Sequence, residues 1–192
     1  MIESDFYYSL LDKLSIVAIT DRQGKIVYAN DKFCDISKYS REELLGSTHK
    51  IVNSGYHSRS FFIDLWKTII AGEIWRGEIR NKAKDGSYYW VDTFIVPEMD
   101  EDNKVRHYYS IRIDITKRKL QEFELLKRKV ELEEIALMQS HQVRKPVANL
   151  LGLIDLFEKQ ELNDLNKTLY QMMKQSIMEL EDSIKDIVEK AE

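Results

Sequence analysis

The residue with the clearest capacity for covalent chemistry is His141, which lies in the run Ser140-His-Gln-Val-Arg-Lys-Pro-Val147. A neutral imidazole is a competent nucleophile toward a phosphoryl group when it is exposed and held in one orientation. Pro146 removes a backbone N–H and disfavours helical geometry at Lys145, so the sequence predicts a kink just after the histidine. A lone helical histidine is more often a surface or capping residue, and the context of His141 therefore decides its role.

The other candidate nucleophiles and ligands are scattered along the chain. Cys34 is the only cysteine, so it has no partner for an intramolecular disulfide. His49, His57 and His107 lack the spacing of metal ligands, and we expect no metal site. The basic run Lys117-Arg-Lys119 is interpreted as the solvated face of a helix rather than a binding patch.

The elements that must position these residues fall into two parts, with a boundary at about 114–118. Six of the seven glycines and all three tryptophans come before residue 91, whereas the later sequence is rich in Leu, Glu, Lys, Ile and Met. This change predicts strands and helices in the first part and long helices in the second. Because no Gly/Ser-rich spacer separates the parts, we expect a rigid junction.

The order of strand-like and helix-like runs in the first part predicts an α+β domain with an antiparallel sheet. A hairpin comes first, then several short helices, and then three strands separated by turns at 85–86 and 100–103. The predicted strands are 15–20, 25–29, 74–83, 87–97 and 104–115, and the predicted helices are 30–36, 41–45 and 58–71.

The second part predicts two amphipathic helices. A seam with spacings of three and four residues runs along the first helix and comprises Phe123, Leu126, Val130 and Leu137. The apolar face continues through 143–157, and a second stripe follows a polar break at 161–164, where Asp164 can cap the next helix. One antiparallel hairpin cannot bury both of its stripes, so we expect a homodimer in which two hairpins form a four-helix bundle.

Bulk composition narrows the class of partner. The 192 residues include 29 basic and 33 acidic ones, for a net charge of −4, which gives no electrostatic reason to expect nucleic acid or an anionic membrane. No apolar stretch approaches the roughly 20 residues of a membrane helix, and no secretory signal is visible. We expect a cytoplasmic protein.

Residues 9–116 resemble the PAS family along the whole domain. The motifs that carry the resemblance, in order, are Gly24, Asn30, Glu42-Glu-Leu-Leu-Gly46, Trp66, Trp75-Arg-Gly-Glu78, Asn81-Lys-Ala-Lys-Asp-Gly86, Tyr89-Trp-Val91 and Asp114-Ile-Thr116. The resemblance implies an α+β PAS fold, in which a five-stranded antiparallel sheet with helices packed on one face encloses a small pocket for a small-molecule ligand.

Asp114 and Thr116 are the residues for which the resemblance implies signal relay, since Asp114-Ile-Thr116 is the family's usual exit into a signalling helix. Their short polar side chains can bond to the backbone at a helix start. We expect them to tie the last strand to the helix, so that a shift in the sheet becomes a tilt or rotation of the helix pair. A plain helix cap is the simpler interpretation of the same residues.

The second part resembles the dimerisation and phosphoacceptor region of sensor histidine kinases. His141, Arg144 and Pro146 match the phosphoacceptor box position for position, and Asn149-Leu-Leu-Gly152 follows it. The resemblance implies that His141 accepts a phosphoryl group and passes it to the receiver domain of a response regulator.

Two residues depart from the pattern of that family. Most members have Glu or Asp directly after the histidine, whereas Gln142 can orient the ring by hydrogen bonding but cannot act as a base. Lys145 stands where phosphatase action often uses Thr or Asn, so that route is not expected here.

Gly152 is the only glycine after residue 86, and the chain therefore has no phosphate-cradling loop after its hairpin. The ATP-binding kinase domain would have to act from a longer chain in cis or from another chain in trans.

The identity of a pocket cofactor stays open. The residues that resemble the flavin-binding, redox-sensing PAS subgroup are Trp66, Trp75, Asn81 and Trp90. Aromatic walls and an amide would suit the ring of FAD or FMN, and ordinary core packing explains the same tryptophans. Cys34 lacks the flanking pattern of photoreactive flavin–cysteine domains, and the offset of His57 does not favour haem.

Three segments follow from these patterns: a PAS sensor domain with an N-terminal helix at 1–116, a signalling coiled-coil helix at 117–139, and a dimerisation and phosphoacceptor hairpin at 140–192. The favoured function is the sensor module of a two-component histidine kinase. The alternative, favoured by Gln142, Lys145 and the missing ATP site, is a non-catalytic PAS ligand-sensing dimer that regulates a partner by binding.

Overall fold

The hairpin predicted at the start of the first part is present in the computed structural model, which describes residues 10–158 and 164–191. Strands β1 (Ile16–Asp21) and β2 (Ile26–Ala29) flank a turn in which Gly24 has a φ of 80°. A Cβ at Gly24 would also lie 2.9 Å from the indole of Trp66, so both conformation and space require glycine there. A short helical segment at 10–14 precedes β1, and residues 1–9 of the predicted N-terminal helix lie outside the described residues.

Three longer strands complete the sheet: β3 (Trp75–Lys82), β4 (Tyr88–Met99) and β5 (Val105–Asp114). All neighbouring strands are antiparallel, in the order β2-β1-β5-β4-β3. The predicted five-stranded antiparallel sheet is therefore confirmed. Its strand ends differ from the prediction by at most two residues, which is the usual uncertainty of element boundaries.

Helical elements occupy the chain between β2 and β3. They are α1 (Asp31–Ser37), α2 (Arg41–Leu44), a 3-10 helix (His49–Val52) and α3 (Arg59–Ile70). Asn30 begins this region: its side chain accepts a hydrogen bond from the Phe33 N–H and donates to the Ser15 carbonyl at 2.8 Å. A buried amide with partners on both sides fixes the entry of α1 to the first strand.

The core lies between one face of the sheet and these helices. Strand register places alternate residues of adjacent strands on the same face, for example Ile16 opposite Arg112 and Thr93 opposite Arg112. One apolar cluster joins Phe33 and Leu44 of the short helices to this face, and a second joins α3 to β3, β4 and β5. The burial of Leu44 is complete, whereas its neighbour Leu45 is 41% exposed.

The second part consists of α4 (Thr116–Glu158) and α5 (Asp164–Ala191). The chain divides into two compact units between Gln121 and Glu122, inside α4. Pro146 lies within α4 and does not end it. Within the second unit, α4 contributes Val147 and Ile154 to a buried cluster, and α5 contributes Ile177 and Ile184. Most of the predicted polar break at 161–164 lies outside the described residues.

No helix in the described part of the chain combines the length and the apolar character needed to cross a membrane.

Candidate functional site

A cavity of about 480 Å³ lies in the first unit between the helices and the inner face of the sheet. Its size is within the range of small-molecule sites in proteins. The lining residues come from the opening hairpin, the 3-10 helix, α3 and the three long strands, and they are Thr20, Gln23, Gly24, Thr48, His49, Lys50, Val52, Asn53, Phe62, Leu65, Trp66, Ile69, Ile79, Asn81, Ile95, Tyr108, Ser110 and Arg112.

Two of the four predicted pocket residues line this cavity. Trp66 is on α3, where its indole lies edge-on to Tyr108 with ring centroids 5.7 Å apart, and 39% of it is exposed. Asn81 is buried on β3. An aromatic face and an amide therefore do meet at one cavity, which is the arrangement that suits a flat heterocycle.

The other two predicted pocket residues lie elsewhere in the unit. Trp75 is buried at the start of β3, edge-on to Phe61 at 5.4 Å. Trp90 on β4 lies edge-on to Tyr56 at 5.1 Å and to His57 at 6.0 Å. Neither tryptophan is among the cavity-lining residues, and ordinary aromatic packing accounts for both positions.

Buried Arg112 and half-buried His49 form a polar pair on the cavity wall that the sequence did not reveal. Arg112 is only 5% exposed and its Nη2 lies 2.7 Å from Nε2 of His49, close enough for the guanidinium to donate to a neutral imidazole. The Nη1 atom of Arg112 is buried and has no hydrogen-bond partner among the described residues. Loss of hydration lowers the pKa of Arg112 to about 10.

The imidazole of His49 is held neutral by its surroundings. Loss of hydration lowers its pKa well below the ordinary value, and the positive charge of Arg112 lowers it further. Its ring also stacks on Phe33, with centroids 5.8 Å apart. Thr93, opposite Arg112 on the neighbouring strand, has a buried hydroxyl that likewise lacks a partner in the described chain.

His57 and Cys34 lie apart from the cavity lining. Nε2 of His57 accepts a hydrogen bond from the Arg80 backbone N–H at 2.9 Å, and its ring stacks on Phe61 at 4.2 Å. Burial lowers the pKa of His57 and raises that of the Cys34 thiol. Within the described residues, no group of three or more His, Cys, Asp or Glu side chains comes together in a way that could hold a metal ion.

The predicted relay residues form a compact junction between the sheet and α4. Oδ1 of Asp114 accepts a hydrogen bond from the Thr116 N–H, and Oγ1 of Thr116 accepts one from the Trp90 N–H, both at 2.9 Å. The Ile115 N–H donates to the Trp90 carbonyl at 2.9 Å. The first residues of α4 are therefore bonded to β4 as well as continuing from β5, which is more than a helix cap requires.

Glu78 adds an ionic contact at this junction. Its carboxylate pairs with Arg118 and Lys119, each at 2.6 Å, and these two cations lower its pKa. The Lys119 ammonium also lies 5.6 Å from the centre of the Trp90 ring. Within 117–119, which the sequence favours as a solvated face rather than a binding patch, two of the three side chains are paired with Glu78 on β3.

The residues predicted to form a phosphoacceptor box lie on α4 in the second unit. His141, Gln142 and Arg144 are exposed, so the imidazole is accessible to another molecule. Ser140 is buried, and its hydroxyl donates to the Ala136 carbonyl at 2.8 Å.

Comparison with known proteins places the first unit in a family. The family model described as PAS domain matches residues 14–117, slightly more than half of the chain. The aerotaxis receptor of Escherichia coli is 37% identical over 107 residues, which are 56% of this chain and 21% of the receptor. The nitrogen fixation regulatory protein of Klebsiella pneumoniae is 30% identical over 111 residues, or 57% of this chain and 22% of that protein. The chain thus spans about a fifth of the length of these relatives.

Some matches extend beyond the first unit. Hybrid signal transduction histidine kinase L of Dictyostelium discoideum is 26% identical over 177 residues, which are 90% of this chain and 10% of the kinase.

Solved structures agree on the fold. A PAS domain from Colwellia psychrerythraea superposes with a TM-score of 0.53 at 24% identity, over 59% of this chain and 97% of that one. An RNA-binding Light-Oxygen-Voltage receptor gives a TM-score of 0.55 at 22% identity, over 67% of this chain and 39% of that one. The sheet order, the cavity against the sheet and the family match lead to one conclusion: the chain belongs to the PAS domain family, and its relatives include histidine kinases and signalling receptors.

Proposed function

We propose that this chain is the sensor module of a two-component histidine kinase. A small molecule binds in the cavity of the PAS domain, the Asp114–Thr116 junction passes its effect to α4, and His141 on that helix is the phosphoacceptor. The observation that carries the proposal is the continuity of α4, which starts at a residue bonded to the sheet and contains an exposed histidine 25 positions later. The match to a histidine kinase over 90% of the chain supports it.

The junction is suited to relay because it connects two strands to one helix. Both backbone groups of Trp90 are bonded to the segment where α4 begins. The Trp90 N–H donates to the Thr116 hydroxyl, and the Trp90 carbonyl accepts from the Ile115 N–H. Arg118 and Lys119 hold Glu78 on β3. A change in sheet twist moves the partners of the first helical turn, and the helix must follow or lose these bonds.

The chemistry at His141 is nucleophilic phosphoryl transfer. A ring nitrogen attacks the γ-phosphorus of ATP held by a kinase domain in cis or in trans; the N–P bond forms, the bond from phosphorus to the bridging oxygen breaks, and ADP leaves with that electron pair. Because Gln142 cannot take up the ring proton, the proton passes to solvent. An aspartate of a response-regulator receiver domain then attacks the phosphorus, and the imidazole leaves with the N–P electron pair.

A second copy of the chain is the proposed partner of α4. Leu126, Val130 and Leu137 of the heptad seam are 60%, 45% and 45% exposed, although the same seam is buried further along, at Val147 and Ile154. Exposed apolar residues at a and d spacing are typical of helices that pair. Leu126→Lys should convert a dimer to a monomer in analytical ultracentrifugation, whereas Glu134→Lys, an exposed change on the same helix, should not.

Phosphotransfer can be tested with the chain joined to an active histidine-kinase ATP-binding domain and labelled ATP. Acid-labile label should appear on the wild type, disappear in His141→Gln and persist in His107→Gln. We expect Thr116→Val to retain a labelled His141 but lose any change in labelling rate caused by a cavity ligand. Absence of label in both the fused and the mixed format contradicts the phosphotransfer proposal.

A flavin, FAD or FMN, is one candidate for the cavity ligand. Trp66 and Asn81 fit it as an aromatic wall and an amide hydrogen-bonding group, while Trp75 and Trp90 do not contribute. When bound, a flavin would supply sensitivity to redox state, and Trp66 and Asn81 would hold and orient its ring. Visible absorption of the purified protein tests this: bands of a bound flavin support it, and a colourless protein that gains none on incubation with FAD or FMN argues against it.

The alternative function is a non-catalytic sensor that regulates a partner by binding. The higher identity to an aerotaxis receptor than to a histidine kinase favours this second candidate, as does Gln142 in place of a carboxylate. It predicts that His141→Gln leaves signalling to the partner intact. Loss of signalling together with loss of label would favour phosphotransfer instead.

A further inference from the structure

The cavity wall on β5 carries a positive charge that no described residue neutralises. Arg112 is 5% exposed, its Nη2 faces a neutral His49, and its Nη1 is buried without a partner in the described chain. The Phe33 ring lies 5.5 Å from the guanidinium carbon and offers a face for the cation, but no negative charge. Buried charges in proteins are normally paired, because removing an ion from water is costly.

The other lining side chains supply no negative charge. Among the described residues that line it, none is acidic, and Lys50 at its edge is a second cation. The body of the cavity is apolar, with Leu65, Ile69, Ile79 and Ile95 around it. A ligand that fills this space therefore meets an apolar enclosure with a guanidinium at one side.

We propose that the cavity ligand is an amphipathic anion, with a compact apolar body between α3 and the sheet and one acidic group bound by the guanidinium of Arg112. The acidic group is a carboxylate, a phosphate or an acidic ring, each of which accepts from a guanidinium. This inference rests on the proposed ligand-binding function and specifies the ligand's charge. His49 is a positioning residue: as a neutral acceptor it fixes Nη2 of Arg112 and so holds the guanidinium at the cavity wall.

The test uses two fluorescent probes of similar shape and different charge, titrated into the full chain. Anilinonaphthalene sulfonate is an anion, and phenylnaphthylamine is its neutral counterpart. Arg112→Gln should weaken binding of the anionic probe at least tenfold and that of the neutral probe less than twofold. Arg112→Lys, which keeps the charge, should recover part of the loss. The matched control is Arg76→Gln. It removes an exposed arginine of β3 that pairs with Asp92 of β4, and it should change neither titration.

A second variant locates the probes. Ile79→Trp fills the cavity and should abolish binding of both probes, as expected if both occupy it. Naphthoate and naphthyl phosphate should displace the anionic probe, and the stronger competitor identifies the preferred acid. Neutral naphthyl methanol should compete more weakly than either. Equal effects of Arg112→Gln on both probes, or displacement by the neutral compound alone, would overturn the inference.

Failure of this inference is distinguishable from failure of the proposed function. If neither probe binds the wild type, or if both still bind Ile79→Trp, the cavity is not a ligand site and the sensor proposal fails with the inference. If both probes bind the cavity but ignore the charge at residue 112, only the inference fails. Calorimetry of Arg112→Met gives a result that does not depend on the folding of Arg112→Gln. Removal of an unpaired buried charge should leave the melting temperature of the ligand-free protein equal or higher, and a fall of more than ten degrees would overturn the inference.

Discussion

The two units differ in which of their polar and apolar groups are exposed to solvent. The PAS unit encloses its distinctive chemistry: Arg112, Thr93 and Asn81 are buried, and two of them have polar atoms without a partner in the described chain. The helical unit has its distinctive features outside, with His141 exposed and a large apolar surface along α4 and α5. The first arrangement favours recognition of a small molecule from within, and the second favours contact with other macromolecules.

Truncation of the enclosed core should give the largest effect. Leu44→Ala removes a fully buried side chain from α2 and should lower the free energy of unfolding by about 2–5 kcal/mol, through lost burial and a new cavity. Leu45→Ala, one residue later and 41% exposed, should cost less than about 1 kcal/mol. Urea unfolding followed by circular dichroism measures both, and equal losses would contradict an enclosed PAS core.

The pH dependence of stability should come from the PAS unit. Because the pKa of His49 is lower in the folded state than its ordinary value near 6.5, its contribution is fully present above that value and is lost as pH falls toward the lowered pKa. The loss is at most about 1.4 kcal/mol per pH unit for one group. Melting temperatures from pH 8 to pH 5 should fall in the wild type and in His141→Gln, and should fall less in His49→Gln. An unchanged slope in His49→Gln would show that another group dominates.

The junction should contribute less to stability than to coupling. Thr116→Val leaves the Trp90 N–H without its acceptor and should cost about 1–2 kcal/mol. Hydrogen exchange at that amide should become faster by a corresponding factor. Ser183→Ala on α5 removes a hydroxyl that only donates back to the Glu179 carbonyl, so it should be nearly neutral. A neutral Thr116→Val would mean that the contact does not hold the helix to the sheet.

Ion pairs should give the smallest effects, and they sharpen the comparison between the units. Glu78→Gln removes a carboxylate shared by two cations and should cost about 1 kcal/mol or less, since all three groups are partly exposed. Glu124→Gln removes one i, i+4 partner of Arg128 on α4 and should cost about 0.5 kcal/mol or less. Calorimetry at low and high salt measures both, and salt should reduce both differences.

The fold was predictable because its signals are local. Turn residues such as Gly24 and Gly86, alternation along the strands, and helical spacing in 58–71 each specify an element from a few neighbouring residues. The strand and helix bounds agree with the prediction within one or two residues for this reason. The 3-10 helix at His49–Val52 was missed, since four residues carry too little periodicity.

The site was predictable only where the residue type alone indicated a role in ligand binding. Trp66 and Asn81 were selected as an aromatic and an amide, and both line the cavity; Trp75 and Trp90 were selected on the same grounds and do not. Arg112 sits in a strand where an arginine is usually an exposed residue, and its burial depends on the register between β4 and β5. Sequence spacing does not give that register, so the buried cation and its contact with His49, 63 residues earlier, had no local signal.

The three tryptophans have a consequence for time-resolved spectroscopy. Trp66 lies at the cavity, Trp75 in the buried core, and Trp90 beside the first turn of α4. Variants that retain one indole at a time would therefore report separately on ligand arrival, on core relaxation and on movement at the helix start. The order of the three emission changes after rapid mixing would give the direction in which a signal crosses the domain, with no label added to the protein.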